Sequence, residues 1–241
     1  LFVKDLRTGK VRKMTQDGKR NKIINGTTDW VYEEEFAITK AYGWSADSKN
    51  IAFLKFDERE VPEFQMAMYG ELYPEQDTYK YPKAGEKNSL VTLHLMQVET
   101  GKISQIDLGA YEYIPRLNWS TTSNQLVVQT MNRHQNELNY WLIDCKGKQV
   151  TKKLFYQEKS NTYVEVDDNL SILSDGASML RCSEQSGFNH IYQIGFDGKV
   201  RSITSGNWDV IEFLGINQST NTIFYASAEP GAIYKSIYSI Q

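Results

Sequence analysis

The stretch Leu93-His94-Leu95-Met96-Gln97-Val98-Glu99-Thr100-Gly101-Lys102-Ile103-Ser104-Gln105-Ile106 reads as two short strands and the turn that joins them. Thr100-Gly101-Lys102 places a glycine where a tight reversal between antiparallel strands needs one. The same layout recurs over 2–14 around Thr8-Gly9-Lys10, over 140–154 around Lys146-Gly147-Lys148, and over 191–203 around Asp197-Gly198-Lys199. A second hairpin type alternates with it. Trp44-Ser45-Ala46-Asp47-Ser48-Lys49-Asn50 leads into Ile51-Ala52-Phe53-Leu54, and Trp119-Ser120-Thr121-Thr122-Ser123-Asn124 leads towards Leu126-Val127-Val128. Weaker copies are Leu173-Ser174-Asp175-Gly176 before Met179-Leu180, and the run 217–221 before Ile223-Phe224-Tyr225. One hairpin of each type makes a four-stranded antiparallel sheet, the blade of a β-propeller.

Spacing supports the repeat. Gly101, Gly147 and Gly198 recur at roughly the 40–50 residues expected of a blade, whereas Gly9 and Gly101 lie about twice as far apart. That long interval holds a single Trp-Ser hairpin, so it is one blade with about 40 surplus residues. The surplus falls in two insertions, about 17–42 and 57–90. Long loops on a rigid scaffold tend to carry function. The chain opens on Leu1 in mid-strand pattern, as the second hairpin of a blade, and stops near Tyr238-Ser239-Ile240 before a last blade is complete. The expected architecture is therefore all-β: a partial propeller domain over 1–241, of about four four-stranded antiparallel blades, belonging to a larger ring.

Composition agrees with that class. The 241 residues include 15 Tyr, 10 Phe and 5 Trp, the residues strands favour, and suffice for a sizeable core. A formal net charge of -3, with Lys and Arg scattered, gives no basic stripe for phosphate binding and argues against a nucleic-acid partner. No apolar run approaches the roughly 20 residues that span a bilayer as a helix. Cys145 and Cys182 make no metal-ligand spacing with His94, His134 or His190, and no phosphate loop or cofactor motif is present. Each cysteine reads as a small buried hydrophobe.

Within the first insertion, Asp29-Trp30-Val31-Tyr32-Glu33-Glu34-Glu35-Phe36 departs from strand chemistry, because strands disfavour Glu and adjacent like charges repel. It reads either as a solvated helical turn capped by Asp29 or as a negative site for a cation. Gly43-Trp44-Ser45 superficially suggests a nucleophile elbow, but its fifth position is Asp47 and Trp119-Ser120 repeats the dipeptide at the equivalent place. Ser45 is therefore expected to be a turn residue after a core Trp. The expectation is that these residues catalyse nothing by themselves.

The ordered set of the 29–36 stretch, Trp44-Ser45, Glu60-Val61-Pro62, Tyr81-Pro82-Lys83-Ala84-Gly85-Glu86-Lys87-Asn88, the run 187–192, and Thr204-Ser205-Gly206-Asn207-Trp208-Asp209-Val210-Ile211 resembles the propeller domain of the dipeptidyl peptidase IV family of serine exopeptidases. The resemblance covers nearly the whole chain. It implies that the propeller caps an α/β-hydrolase domain supplying Ser, Asp and His, that substrates are peptides with a free N-terminus, and that dipeptides are released after Pro or Ala. It implies no cofactor. It assigns the grip on the substrate α-amine to Glu34 and Glu35, with Glu33 structural or solvent-facing. It also implies that the 57–90 extension contributes to a homodimer, and that the parent works in the periplasm, at the cell envelope or outside the cell. Where the family places an aromatic-arginine pair in its second subsite, the run 163–168 here has none. A tripeptidyl-releasing relative and a non-catalytic, peptide-binding propeller are the alternative readings.

Overall fold

A computed structural model describes residues 1–145 and 149–241; the turn expected at Lys146-Gly147-Lys148 lies outside the described residues. The chain divides into two compact units, Leu1–Trp44 with Ser48–Leu117, and Ser45–Asp47 with Asn118–Gln241. Antiparallel strands build both.

In the first unit, β1 (Phe2–Lys4) and β2 (Val11–Lys13) form a hairpin with Phe2 opposite Lys13. There follow β3 (Ile23–Asn25), a helix α1 (Trp30–Glu34), β4 (Tyr42–Trp44), β5 (Asn50–Asp57), β6 (Glu63–Met68), β7 (Glu75–Lys80), β8 (Leu90–Gln97) and β9 (Ile103–Ile106). Strands β4, β5, β8 and β9 are the expected blade, and Leu93 stands opposite Ile106 in the hairpin that the sequence marks most clearly. Its turn glycine, Gly101, has φ 74°. Ile51, Ala52, Phe53, Leu54 and Phe56 of β5 are all buried, so this strand is covered on both faces. Met14, Ile51, Phe53 and Met96 form one core cluster, with Val3 and Tyr42 packed against it.

The sequence gives no sign of the fifth strand in this sheet. β4 pairs with the near half of β5, Trp44 opposite Ile51, and β3 pairs with its far half, Ile23 opposite Asp57. Two short strands thus share one edge of a long one. The chain between them, 26–41, leaves the sheet and returns, and α1 lies in that excursion. The hairpin β6–β7 is a separate two-stranded sheet between β5 and β8, with Glu63 opposite Lys80.

In the second unit, β10 (Leu117–Trp119), β11 (Gln125–Met131), β12 (Glu137–Asp144) and β13 (Thr151–Lys159) form a four-stranded meander. A second meander is β14 (Ser171–Ile172), β15 (Ser178–Ser183), β16 (His190–Gly195) and β17 (Val200–Ser202). A three-stranded sheet follows, β18 (Val210–Asn217), β19 (Thr222–Ser227) and β20 (Ser236–Ile240). The reversals use left-handed residues at the expected places: Gly176 (φ 64°), Gly198 (φ 94°) and Asn221 (φ 52°). Leu180, Ile191, Val210, Ile223 and Tyr225 share a core that joins the last two sheets.

Charged and polar side chains also fasten these sheets. The buried Arg181 guanidinium donates to Glu158 Oε2 at 2.6 Å, Ser183 donates to Glu158 Oε1 at 2.7 Å, and the guanidinium lies 5.0 Å over the Tyr140 ring. His190, fully buried, bonds Thr204 Oγ1 through Nδ1 at 3.1 Å and the Gly206 carbonyl through Nε2 at 3.0 Å. Asn189 bonds Asp209 and Val210, closing the same joint. The 187–192 and 204–211 stretches are thus one structural lock. One expectation is corrected: Trp44 is 41% exposed and Trp119 half-buried, so neither is a core residue, because both sit on short edge strands. Both cysteines are free; burial pushes the thiol of Cys145 up to about 11 and that of Cys182 up to about 12.

Candidate functional site

The 26–41 excursion is pinched at its neck. Gly26 N–H donates to the Leu54 carbonyl, Leu54 N–H to Ala41, and Ala41 N–H to Gly26, at 2.9, 2.9 and 3.1 Å. Gly26 has φ +77°, and a Cβ there would come within 2.5 Å of the Leu1 side chain, so only glycine fits. Thr27 bridges Lys40 across the neck, and the Thr28 hydroxyl donates to the Ile38 carbonyl at 2.8 Å.

Inside the loop, Asp29 is the N-cap expected from sequence, its Oδ1 accepting from Tyr32 N–H at 3.0 Å. Its Oδ2 accepts from the Ser89 hydroxyl at 2.6 Å. The carboxyl is buried, and burial raises it above the ordinary aspartate value while its two hydrogen bonds pull the other way. Tyr32 is the anchor of the turn. Its ring lies 4.9 Å from Phe56 of β5 and 5.0 Å from Phe36, and its hydroxyl accepts from Ile114 N–H at 2.8 Å. Burial holds that phenol well above its usual value. Ala37, at φ 53°, then turns the chain away, and Ile38 N–H closes on the Tyr32 carbonyl at 3.2 Å.

Tyr32 and Phe36, four residues apart, take the core-facing side of the turn, which leaves Glu33, Glu34 and Glu35 to solvent. All three are exposed, and none forms an ion pair among the described residues. Their settings differ. Glu33 lies in the first turn, where the helix dipole favours an acid; Glu34 ends the helix and Glu35 is its C-cap, where negative charge is disfavoured, and no basic residue stands in the last turn. Helix stability accounts for Glu33 and not for the other two.

Three separated stretches of the sequence meet at this turn. Trp30 packs on Tyr81, ring centroids 4.4 Å apart; Tyr81 N–H donates to the Pro62 carbonyl at 3.0 Å; and Lys87 pairs with Glu60 at 3.4 Å. Asn88 continues the seam through Glu112 and the Tyr113 hydroxyl. The sequence reading named Asp29, Tyr81 and Asn88 but missed Ser89 and the Tyr32 hydroxyl, whose partners are 60 and 82 residues away. Only the fold brings them into reach.

The extension splits into two parts. Phe64, Tyr79 and Tyr81 pack on one another, with centroids 5.6 to 6.4 Å apart, beside Trp30. Met68, Tyr69, Leu72 and Tyr73 at its tip are exposed, the last three by more than 80%. In the second unit, the run 163–168 lines a polar cavity of about 590 Å³ together with Glu158, Arg181 and Glu184. Tyr163 there donates to Gln135 Oε1 at 3.2 Å. Ser45 is buried and its hydroxyl donates to Asp47 at 2.7 Å, the hydrogen bond of a turn. No group of three or more potential metal ligands occurs among the described residues.

Comparison with known proteins gives a consistent result. Residues 1–241 match the family described as the dipeptidyl peptidase IV (DPP IV) N-terminal region. Probable dipeptidyl-aminopeptidase B of Phaeosphaeria nodorum is 30% identical over 100% of this chain and 30% of its own length. Inactive dipeptidyl peptidase 10 of Mus musculus is 30% identical over 98% of this chain and 31% of its own length. The crystal structure of Porphyromonas gingivalis dipeptidyl peptidase 4 superposes with a TM-score of 0.89 at 40% identity, covering 100% of this chain and 34% of that one. The chain therefore spans about a third of the length of these relatives. In fold and in sequence, this chain belongs to the dipeptidyl peptidase IV N-terminal region family.

Proposed function

We propose that this chain is the substrate-gating, N-terminus-binding propeller region of a serine-type dipeptidyl peptidase, with Glu34 and Glu35 holding the α-ammonium of the peptide. The observation that carries the reading is the pair itself: two exposed carboxylates, unpaired among the described residues, at the end of a helix that does not favour them, on a turn fixed from three sides. An ammonium offers three donors and carboxylates are pure acceptors, so the pair supplies charge-assisted hydrogen bonds. A fixed N-terminus sets how far the peptide reaches towards a nucleophile, which makes an acyl-transfer site count residues. The catalytic Ser, Asp and His belong to an α/β-hydrolase domain outside this chain, and release follows Pro or Ala at the second position.

In the full-length protein, Glu34→Gln and Glu35→Gln should each lower kcat/KM on a free-amine dipeptidyl substrate by about 100-fold while leaving the melting temperature unchanged. Wild-type kcat/KM in both variants would remove the assignment. Mass analysis of the released product separates dipeptides from tripeptides.

A second reading has one observation in its favour. The relative named inactive dipeptidyl peptidase 10 matches this chain as well as the one named an aminopeptidase does. On that reading the propeller binds peptides or proteins without cleaving them. Labelling of the full-length protein by a fluorophosphonate supports the enzyme, and failure to label supports the binding module.

Two further features belong to the proposal. The exposed tip residues Tyr69, Leu72 and Tyr73 suit a homodimer contact, which sedimentation of a triple Ser variant tests. The working compartment is the periplasm, cell envelope or exterior, which fractionation of producing cells tests.

A further inference from the structure

The helix that carries the glutamates has five residues; at its two caps Glu33 N–H donates to the Asp29 carbonyl and Glu35 N–H to the Val31 carbonyl, at 3.1 and 2.8 Å. A helix this short has no stability of its own in water. Side chains must hold it: Trp30 packs on Tyr81, and two further residues tie the turn to the blade. Tyr32 fixes its inner face to the core; Asp29 fixes its first turn, with one carboxylate oxygen on the Tyr32 amide and the other on Ser89, next to the first residue of β8. We infer that Asp29 is a positioning residue for the Glu34–Glu35 pair, setting the height and angle at which the two carboxylates meet a peptide amine it never touches.

The inference rests on the amine-binding reading of that pair. Its support lies in where the cap is placed. A surface helix is capped as well by a solvated Ser, Thr or Asn, at no desolvation cost. Asp29 is buried, and a second buried carboxyl, Glu58, stands close enough that burial and then the charge of Asp29 raise it too. Burying the Asp29 carboxyl costs stability, and the charge of a second acid adds to that cost. What the cost secures is a rigid link: Asp29 ties the glutamate turn to β8, a central strand of the blade, through Ser89. Tolerated cost beside a site is the usual mark of a geometric requirement.

The test uses the full-length protein and a Gly-Pro chromogenic amide with a free amine. Asp29→Ala should raise KM by about 10-fold or more with kcat changed less than about 3-fold, because the anchor is misplaced while the nucleophile is untouched. Asp29→Asn, which keeps an acceptor for the Tyr32 amide and can still bond Ser89, should restore KM to within about 3-fold of wild type. Fluorophosphonate labelling, which needs no amine, should proceed at the wild-type rate in both. In a Glu34→Gln/Glu35→Gln background, Asp29→Ala should add no further rise in KM. An unchanged KM in Asp29→Ala overturns the inference. So does a fall in labelling that parallels the kinetic loss, or an additive penalty in the Gln background, since either marks general damage. Gln variants with wild-type kcat/KM overturn the amine-binding reading beneath it instead, whatever Asp29→Ala does.

Discussion

Two polar clusters in this molecule invite comparison. In the second unit, Glu158 and Arg181 are buried, bonded to each other at 2.6 Å, and further satisfied by Ser183, the Cys182 carbonyl and the Tyr140 ring. In the first unit, Glu34 and Glu35 are exposed, with no cation beside them among the described residues, at the wrong end of a helix. The first cluster has used its bonding capacity on the fold. The second has kept its capacity open, and the supporting bonds lie one layer below, on Asp29 and Tyr32. Saturated charge reads as structure, and unsaturated charge on a braced turn is the ground on which Glu34 and Glu35 are proposed as a site.

The saturated pair should prove indispensable to the fold. Arg181→Met leaves Glu158 buried without its partner and should cost about 3–5 kcal/mol of unfolding free energy in chemical denaturation. Adding Glu158→Leu should recover much of that loss, since a buried ion pair is poorer than good apolar packing. A single variant with unchanged stability would place the pair among ornamental contacts.

A smaller effect is expected one layer below the open pair. Tyr32→Phe removes the acceptor of the buried Ile114 N–H and should cost about 2 kcal/mol in denaturation. It should also raise KM for free-amine substrates, because the turn loses its inner anchor. A stability loss with no change in KM would separate the anchor from the site.

The smallest effect is in pH dependence. Burial raises the Asp29 carboxyl, so between its ordinary and its raised value the folded chain holds a proton that the unfolded chain has lost. The stability this contributes is complete below about pH 4 and disappears as pH rises through the raised value. Asp17 has the opposite sign: its hydrogen bond to Lys55 lowers it, so its contribution is present above about pH 4 and is lost on acidification. Asp29→Asn should therefore remove a fall in stability just above about pH 4 and leave the acid limb intact. An unaltered profile in that window would show that Asp29 is not held at a cost.

Local features were legible in the sequence because their causes are local. Turn glycines at 9, 101 and 198 sit in hairpins with φ of 73°, 74° and 94°, and Asp29 caps the helix three residues from its partner amide. The helical turn itself is one of the two readings that the Asp29 cap and the acidic run leave open. What escaped was long-range. β3 is three residues with no hairpin turn to announce it, and its place depends on β5 being longer than β4. Ser89 is an ordinary serine until the fold puts it 2.6 Å from Asp29. Trp44 and Trp119 are expected in the core and lie outside it, because hydrophobicity does not reveal that a short strand lies at an edge. For the glutamates, the residues alone left a solvated turn and a cation site both open, and the choice of Glu34 and Glu35 came from the family motif.

Glu34 and Glu35 are proposed to recognise an ammonium. The most direct test of that recognition is the ratio of kcat/KM for a free-amine peptide to that for its des-amino analogue, in full-length wild-type protein and in the Glu34→Gln/Glu35→Gln variant. The wild-type ratio should be about 100 or more and should collapse towards about 1 in the variant. A ratio that survives the double substitution would contradict the proposal.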